Sequence, residues 1–300
     1  MSTQGDRYWR ARAGAPRSRG VLVAGLGAPT VVEAAPGAPP TAEEPVRMPR
    51  IAPHDALAGL VRHYWIPRWR LPPGRAATQR VLEYPSANLV VEPGTRAAVH
   101  GPSIGLAERT LEGEGHAFGV ALQPGVAPLL TGRPAREIVG RVVPVPSLDG
   151  LSRTVADAVG AGLDHAAVET FERWLAARDL HPSPDARLVR TVIAQAEDDR
   201  SIVRVEQLAA FTGVGVRRLE RLVREQLGLT PRWLIRRYRL QEAATRLAAS
   251  DPLDRAGTLA DLAAELGYAD QAHFTREFRT VIGVPPGRYL REATAGRMDA

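Results

Sequence analysis

The apolar positions of this chain change their period once they become regular. From about 57 to 123 they come in runs too short for helices. Val61, His63 and Trp65 alternate imperfectly with Arg62, Tyr64 and Ile66, and two further runs, 80–84 and 88–92, end at Pro85 and Pro93-Gly94. A fourth run, 117–122, ends at Pro124-Gly125. Short strands at this spacing, punctuated by proline and glycine, predict a small antiparallel β barrel or sandwich, cupin-like in outline. Beyond about 126 the period becomes helical. Leu151, Val155, Ala158 and Val159 fit one helix, and Val168, Phe171, Trp174 and Leu175 another. His181-Pro182-Ser183-Pro184 then breaks the chain and marks a domain boundary. Residues 1–47 hold neither period. Rich in Ala, Pro, Gly and Arg, they cannot bury enough apolar surface to offset their ordering entropy. They are read as a disordered tail, with translation expected to begin at Met48.

The last third repeats itself. Val205, Leu208 and Ala209 lead to Gly213, and Leu259, Leu262 and Ala263 lead to Gly267, 54 residues further on. After the glycine the offset becomes 55: Leu219 matches Phe274, Arg221 matches Arg276, Gly228 matches Gly283 and Pro231 matches Pro286. A register kept over so many positions is an internal duplication with one extra turn residue in the second copy. Each copy reads as a short helix, a tight turn and a longer helix. Thr258 and Asp261 make a capping box, and Gly267 ends its helix in the left-handed region. In the first copy the apolar stripe Val216, Leu219, Leu222, Val223, Leu227 leaves Arg217, Arg218, Glu220, Arg221 and Arg224 outward. In the second, Phe274, Phe278 and Ile282 face the core, and Gln271, Thr275, Arg276 and Arg279 face away. Paired helices whose second member presents Arg, Gln and Thr form a helix-turn-helix. Between the copies, Thr230-Pro231 caps and starts a helix that runs to about Ala249, with apolar residues at 240, 243 and 247. At 1.5 Å per residue it reaches roughly 27 Å, near the ~34 Å between successive major-groove faces of B-DNA.

Charge agrees with this reading. All 39 basic residues are arginine, the net charge is +6, and the sequence pI near 10.3 favours an acidic partner. Eight arginines lie between 217 and 239 against Glu220 and Glu225. Cysteine is absent, which excludes disulfides, thiolate zinc sites and a cysteine nucleophile. No apolar run approaches a membrane span. The stretch around Arg17–Leu26 imitates a secretory signal only loosely, being short and broken by Gly25 and Gly27, so a cytoplasmic protein is expected.

At these residues the C-terminal part resembles the AraC/XylS family of transcriptional regulators. The likeness lies in Asp261-Leu-Ala-Ala-Glu-Leu-Gly-Tyr-Ala-Asp-Gln-Ala-His-Phe-Thr-Arg-Glu-Phe-Arg279, in Gly283-Val-Pro-Pro286 and in Tyr289, with Arg239-Leu240 and Ala243 on the linker helix. It spans 185–291. Region 48 to about 145 resembles a small β-rich domain that precedes the same module in some regulators, through His63-Tyr64-Trp65, Leu71-Pro-Pro-Gly74, Leu89-Val-Val-Glu-Pro-Gly94 and Phe118-Gly-Val-Ala-Leu-Gln-Pro-Gly125. Together these readings make an α+β chain: a β-rich sensor-like domain (48–145), a helical linker whose helices are expected to cover the β domain or to pair two subunits (146–184), a DNA-binding domain (185–292) and a flexible tail (293–300). By register with the family, Arg217, Glu220 and Arg221 enter one major groove, Gln271, Thr275 and Arg276 another, and Arg236 and Arg237 lie near the backbone. Ala272 departs from the polar residue usual at its position.

The expected partner is double-stranded DNA. A small effector, a second copy of the chain and RNA polymerase are the further partners the resemblance leaves open. No cofactor, metal or catalytic residue is expected, and the family's methyl-accepting relatives use a cysteine that this chain lacks. Two other functions stand against the regulator. A cupin-like metal enzyme would need ligands, and His54, His63, His100 and His116 are scattered without a paired spacing. A non-specific DNA binder would use arginines on phosphates alone. Trp174 and Trp233 are expected on helix faces; Trp65 and Trp69 are read as core residues, with a ligand cavity as the alternative.

Overall fold

A computed structural model describes residues 31–32, 34–82, 84–249 and 258–298. Its first half is built from strands that proline and glycine keep short. They are β1 (Val31–Val32), β2 (Val46–Arg47), β3 (Arg50–Ile51), β4 (Val61–Trp65), β5 (Arg68–Arg70), β6 (Ala76–Val81), β7 (Asn88–Val91), β8 (Ala98–His100), β9 (Ala107–Glu112), β10 (Glu114–His116) and β11 (Phe118–Leu122). Two short helices, α1 (Val126–Thr131) and α2 (Ala135–Ile138), lead to β12 (Val142–Pro144). Gly74 and Gly94, at φ 74° and 71°, make turns that a side chain with a β-carbon would strain.

The strands form three sheets, in the orders β1-β2-β5-β10, β12-β8-β7-β11-β4-β3 and β6-β9. They do not close into a barrel, and β1 pairs with β2 in parallel. Of the expected antiparallel barrel or sandwich, the β-rich character holds and the closed barrel is corrected. The run expected at 80–84 pairs instead over 76–81 with β9; beyond it the Leu82 carbonyl accepts from Arg237 and Tyr84 packs on the C-terminal half. Residue 83 and the tail residues 1–30 lie outside the described residues. Within 34–47, however, Val46 is 2% exposed, β2 pairs with β5, and Gly37 N donates to Asp164 Oδ2 at 2.7 Å. That stretch is part of the domain rather than tail.

Helices α3 (Asp149–Gly160) and α4 (Asp164–Ala176) were expected to cover the β domain or to pair two subunits, and in the structure they lie over the six-stranded sheet. Phe171 of α4 meets Phe118 of β11 and Tyr64 of β4, at ring-centroid distances of 5.6 and 6.0 Å. Such tilted and edge-on contacts add to the burial that holds the layer. A buried ion pair pins the same layer to β5: Arg68 donates to both carboxylate oxygens of Asp164 and to the Val159 carbonyl.

The second half is helical: α5 (Pro184–Asp198), α6 (Val205–Thr212), α7 (Val216–Leu227), α8 (Pro231–Ala249), α9 (Leu259–Glu265), α10 (Gln271–Ile282) and α11 (Pro286–Met298). Two cores share α8. Leu234, Ile235 and Tyr238 pack with α5–α7, and Leu240, Ala243 and Leu247 pack with α9–α11. The two halves of the chain also interlock. Leu82, at the end of β6, is 1% exposed inside the core of α8–α11, and Tyr84 and Val139 pack on that of α5–α8.

Candidate nucleic-acid interface

Local sequence sets both helix pairs. Thr258 Oγ1 accepts from Asp261 N at 3.2 Å while the Asp261 carboxylate accepts from Thr258 N at 2.8 Å, which starts α9. These bonds hold the Asp261 carboxyl below its usual range. Asp270 Oδ1 accepts from His273 N at 2.7 Å and starts α10. Gly213 and Gly267, at φ 69° and 73°, end the short helices of the two pairs. Thr230 Oγ1 accepts from Trp233 N at 3.2 Å and starts α8. At 1.5 Å per residue α8 is about 28 Å long.

Helix α7 is strongly two-faced. Leu219, Leu222, Val223 and Leu227 are buried, and Arg217, Arg218, Glu220, Arg221 and Arg224 are exposed. The ion pair on this face joins Arg221 Nε to Glu225 Oε1 at 4.0 Å. An exposed pair at that distance is weak and leaves the guanidinium available. On α10, Phe274 and Phe278 are buried, Gln271, Arg276 and Arg279 are exposed, and Thr275 is half-buried. Arg236 of α8 is half-buried.

Arg237 is not on this surface. Its side chain is 3% exposed, and its guanidinium donates to Leu82 O and to Gln241 Oε1, both at 2.8 Å. Burial lowers its pKa. The register expectation for Arg237 is corrected by a carbonyl 155 residues away, whose unmet hydrogen bond the guanidinium satisfies.

One neighbour of α7 was not legible. Arg217, Glu220, Arg221 and Arg224 share a cleft of about 410 Å³ with Pro134, Ala135 and Arg136 of the β-rich half. The approach is close because Gly228 ends α7: a β-carbon there would stand 2.8 Å from Ala135 O. Four arginines and two glutamates around one cleft give it a positive field suited to phosphate. Arg136 is a candidate contact that no local pattern marks, since only folding brings it to α7.

The histidines stay apart. His54 caps a turn through Ala56 N at 3.3 Å, His63 is buried, and His116 Nε2 bonds the Ala156 carbonyl at 3.0 Å. Among the described residues no three His, Asp or Glu side chains group as a metal site, and no helix is long and apolar enough to cross a membrane.

Comparison with known proteins gives two domain matches. Residues 208–292 match the family described as a helix-turn-helix domain, and residues 49–144 match a domain of unknown function, DUF6597. The chain is 32% identical over 134 residues to the transcriptional activator NphR of Rhodococcus sp, covering 44% of this chain and 38% of that one. It is 27% identical over 105 residues to the HTH-type transcriptional regulator MtrA of Neisseria gonorrhoeae, covering 35% and 32%. The chain thus spans under two fifths of the length of these relatives. Among solved structures, the DNA-binding domain of AdpA in complex with a target DNA is 23% identical, covers 39% of this chain and 99% of that one, and has a TM-score of 0.31.

Proposed function

We propose, from the AraC-type helix-turn-helix domain in the C-terminal part of this chain, that the protein is a sequence-specific DNA-binding transcriptional regulator. In this reading α7 and α10 are the recognition helices of two helix-turn-helix units, set in adjacent major grooves by α8. The observation that carries it is the division of α7, whose Leu219, Leu222, Val223 and Leu227 are buried and whose Arg217, Arg218, Glu220, Arg221 and Arg224 are all exposed. A charged face held by a packed core presents fixed side chains to base edges. Arg217, Glu220 and Arg221 then read one groove, Gln271, Thr275 and Arg276 the next, and Arg136, Arg218, Arg224, Arg236 and Arg279 lie towards phosphates. Arg237 has no such role.

The β-rich half is proposed to sense a small molecule and to pass its state to the DNA-binding half through Leu82 and α2. Helices α3 and α4 spend their apolar faces inside the chain, so the reading places no subunit contact on them. Selection of bound sequences from random duplexes by the full chain tests the proposal. A recurrent site with two half-sites about 10 base pairs apart is expected. Enrichment of no sequence, with affinity falling steeply in salt, would make the protein a non-specific binder instead.

A further inference from the structure

We propose that the β-rich domain binds a small planar aromatic carboxylic acid, its ring against Trp65 and Trp69 and its carboxylate at His63. The site is a cavity of about 300 Å³ lined from all three sheets, a volume at the lower end for metabolite pockets. Its walls are flat and apolar for a structural reason. Trp65 lies across the sheet from Gly119 and Trp69 from Gly115. A β-carbon at either glycine would come within 2.0 or 2.3 Å of the facing indole. Each ring therefore lies down on its glycine, and the rest of its surface, half-buried, lines the cavity. Planar rings gain most from such walls.

The polar end is His63. It is 4% exposed, it lines the cavity, and its Nδ1 has no hydrogen-bond partner. A buried polar atom without a partner is costly, and a ligand group that supplies one removes that cost. Burial, and after it the charges of Arg50 and Arg62, lower the pKa of this imidazole and keep it neutral. A positive field around an unmatched ring nitrogen favours an anionic oxygen, to which Nδ1–H donates. Arg109, which also lines the cavity, is already matched by two bonds of 2.8 Å to Glu92, so the acid is assigned to His63.

The inference deepens the regulator reading, because the cavity wall leads to the DNA-binding half. Val81 and Tyr84 line the cavity, while Leu82 between them is buried in the core of α8–α11 and its carbonyl holds Arg237. A ligand pressing on this segment acts directly on α8.

Calorimetric titration of the full chain with 2-naphthoate, 2-naphthamide and octanoate tests the site without DNA. Saturable binding of 2-naphthoate is expected, with the amide and the aliphatic acid each weaker by roughly tenfold or more. His63→Phe should remove that preference for the acid while the unliganded protein still melts cooperatively; if it does not, His63→Gln carries the same comparison. Equal affinity for the amide overturns the role of His63, tighter binding of octanoate overturns the aromatic class, and no saturable binding overturns the site. Failure of the DNA-binding reading would leave these results unchanged, and failure here would leave a regulator with another signal.

Discussion

Leu82→Ala is the sharpest probe of how the halves of this chain are joined. Leu82 belongs by sequence to the β-rich half, yet its side chain is 1% exposed in a core formed by Leu240, Ala243, Phe274, Phe278 and their neighbours. The substitution removes three carbons, worth about 0.8 kcal/mol each in transfer energy. The cavity left behind adds to this, since the surrounding core relaxes only in part, giving a total of about 2–5 kcal/mol. The Leu82 carbonyl, and with it the bond from Arg237 at 2.8 Å, is untouched, so the loss is one of packing. Urea unfolding of the full chain measures it. Hydrogen exchange should show where it falls: faster in α8–α10, with little change in α3 and α4, which pack in a separate core. A loss below about 1 kcal/mol, or faster exchange spread evenly over both halves, would refute the interlocked arrangement.

Arg276→Ala should weaken operator binding by about 1–3 kcal/mol if its guanidinium reads a guanine; unchanged affinity in a folded variant removes it from the interface. Glu220→Gln separates base reading from charge tuning, because base reading alters preference at one position of the site, whereas lost charge tightens binding to all sequences alike, as competition with mutated duplexes would show. Asp164→Ala leaves Arg68 buried without its carboxylate and Gly37 N without its acceptor, and should cost about 3–5 kcal/mol in urea unfolding; a near-neutral result would mean that this pair is not buried in solution. His63 is neutral in the fold because burial and the positive charges of Arg50 and Arg62 lower its pKa. Its contribution is therefore complete above the unfolded value of about 6.5 and is lost as pH falls below it. His100, shifted the same way by burial, adds to the slope. Unfolding free energies measured from pH 7.5 to 5.5 should fall, less so in His63→Gln, and a slope unchanged by that substitution would show His63 to be solvated.

What the sequence determined by itself is whatever depends on residues a few positions apart. The capping box of Thr258 and Asp261, the glycines that end α6 and α9, the proline start of α8 and the two-faced stripe of α7 are all of this kind. Their hydrogen bonds and periodicities close within one or two turns, so the outward placement of Arg217, Glu220, Arg221, Gln271 and Arg276 could be read directly. A period says that a face is apolar but not what covers it, so α3 and α4 read equally as a cover for the β domain or a contact between subunits, and the β sheet beneath them is a tertiary fact. Tertiary structure alone decided that Arg237 turns inward to Leu82, that Trp65 and Trp69 lie on Gly119 and Gly115 and wall a cavity, and that Arg136 stands beside α7. In each case the partner lies tens of residues or more away, and the outcome rests on a carbonyl needing a donor or a glycine leaving room for a ring. Neither condition leaves a mark on the neighbouring sequence.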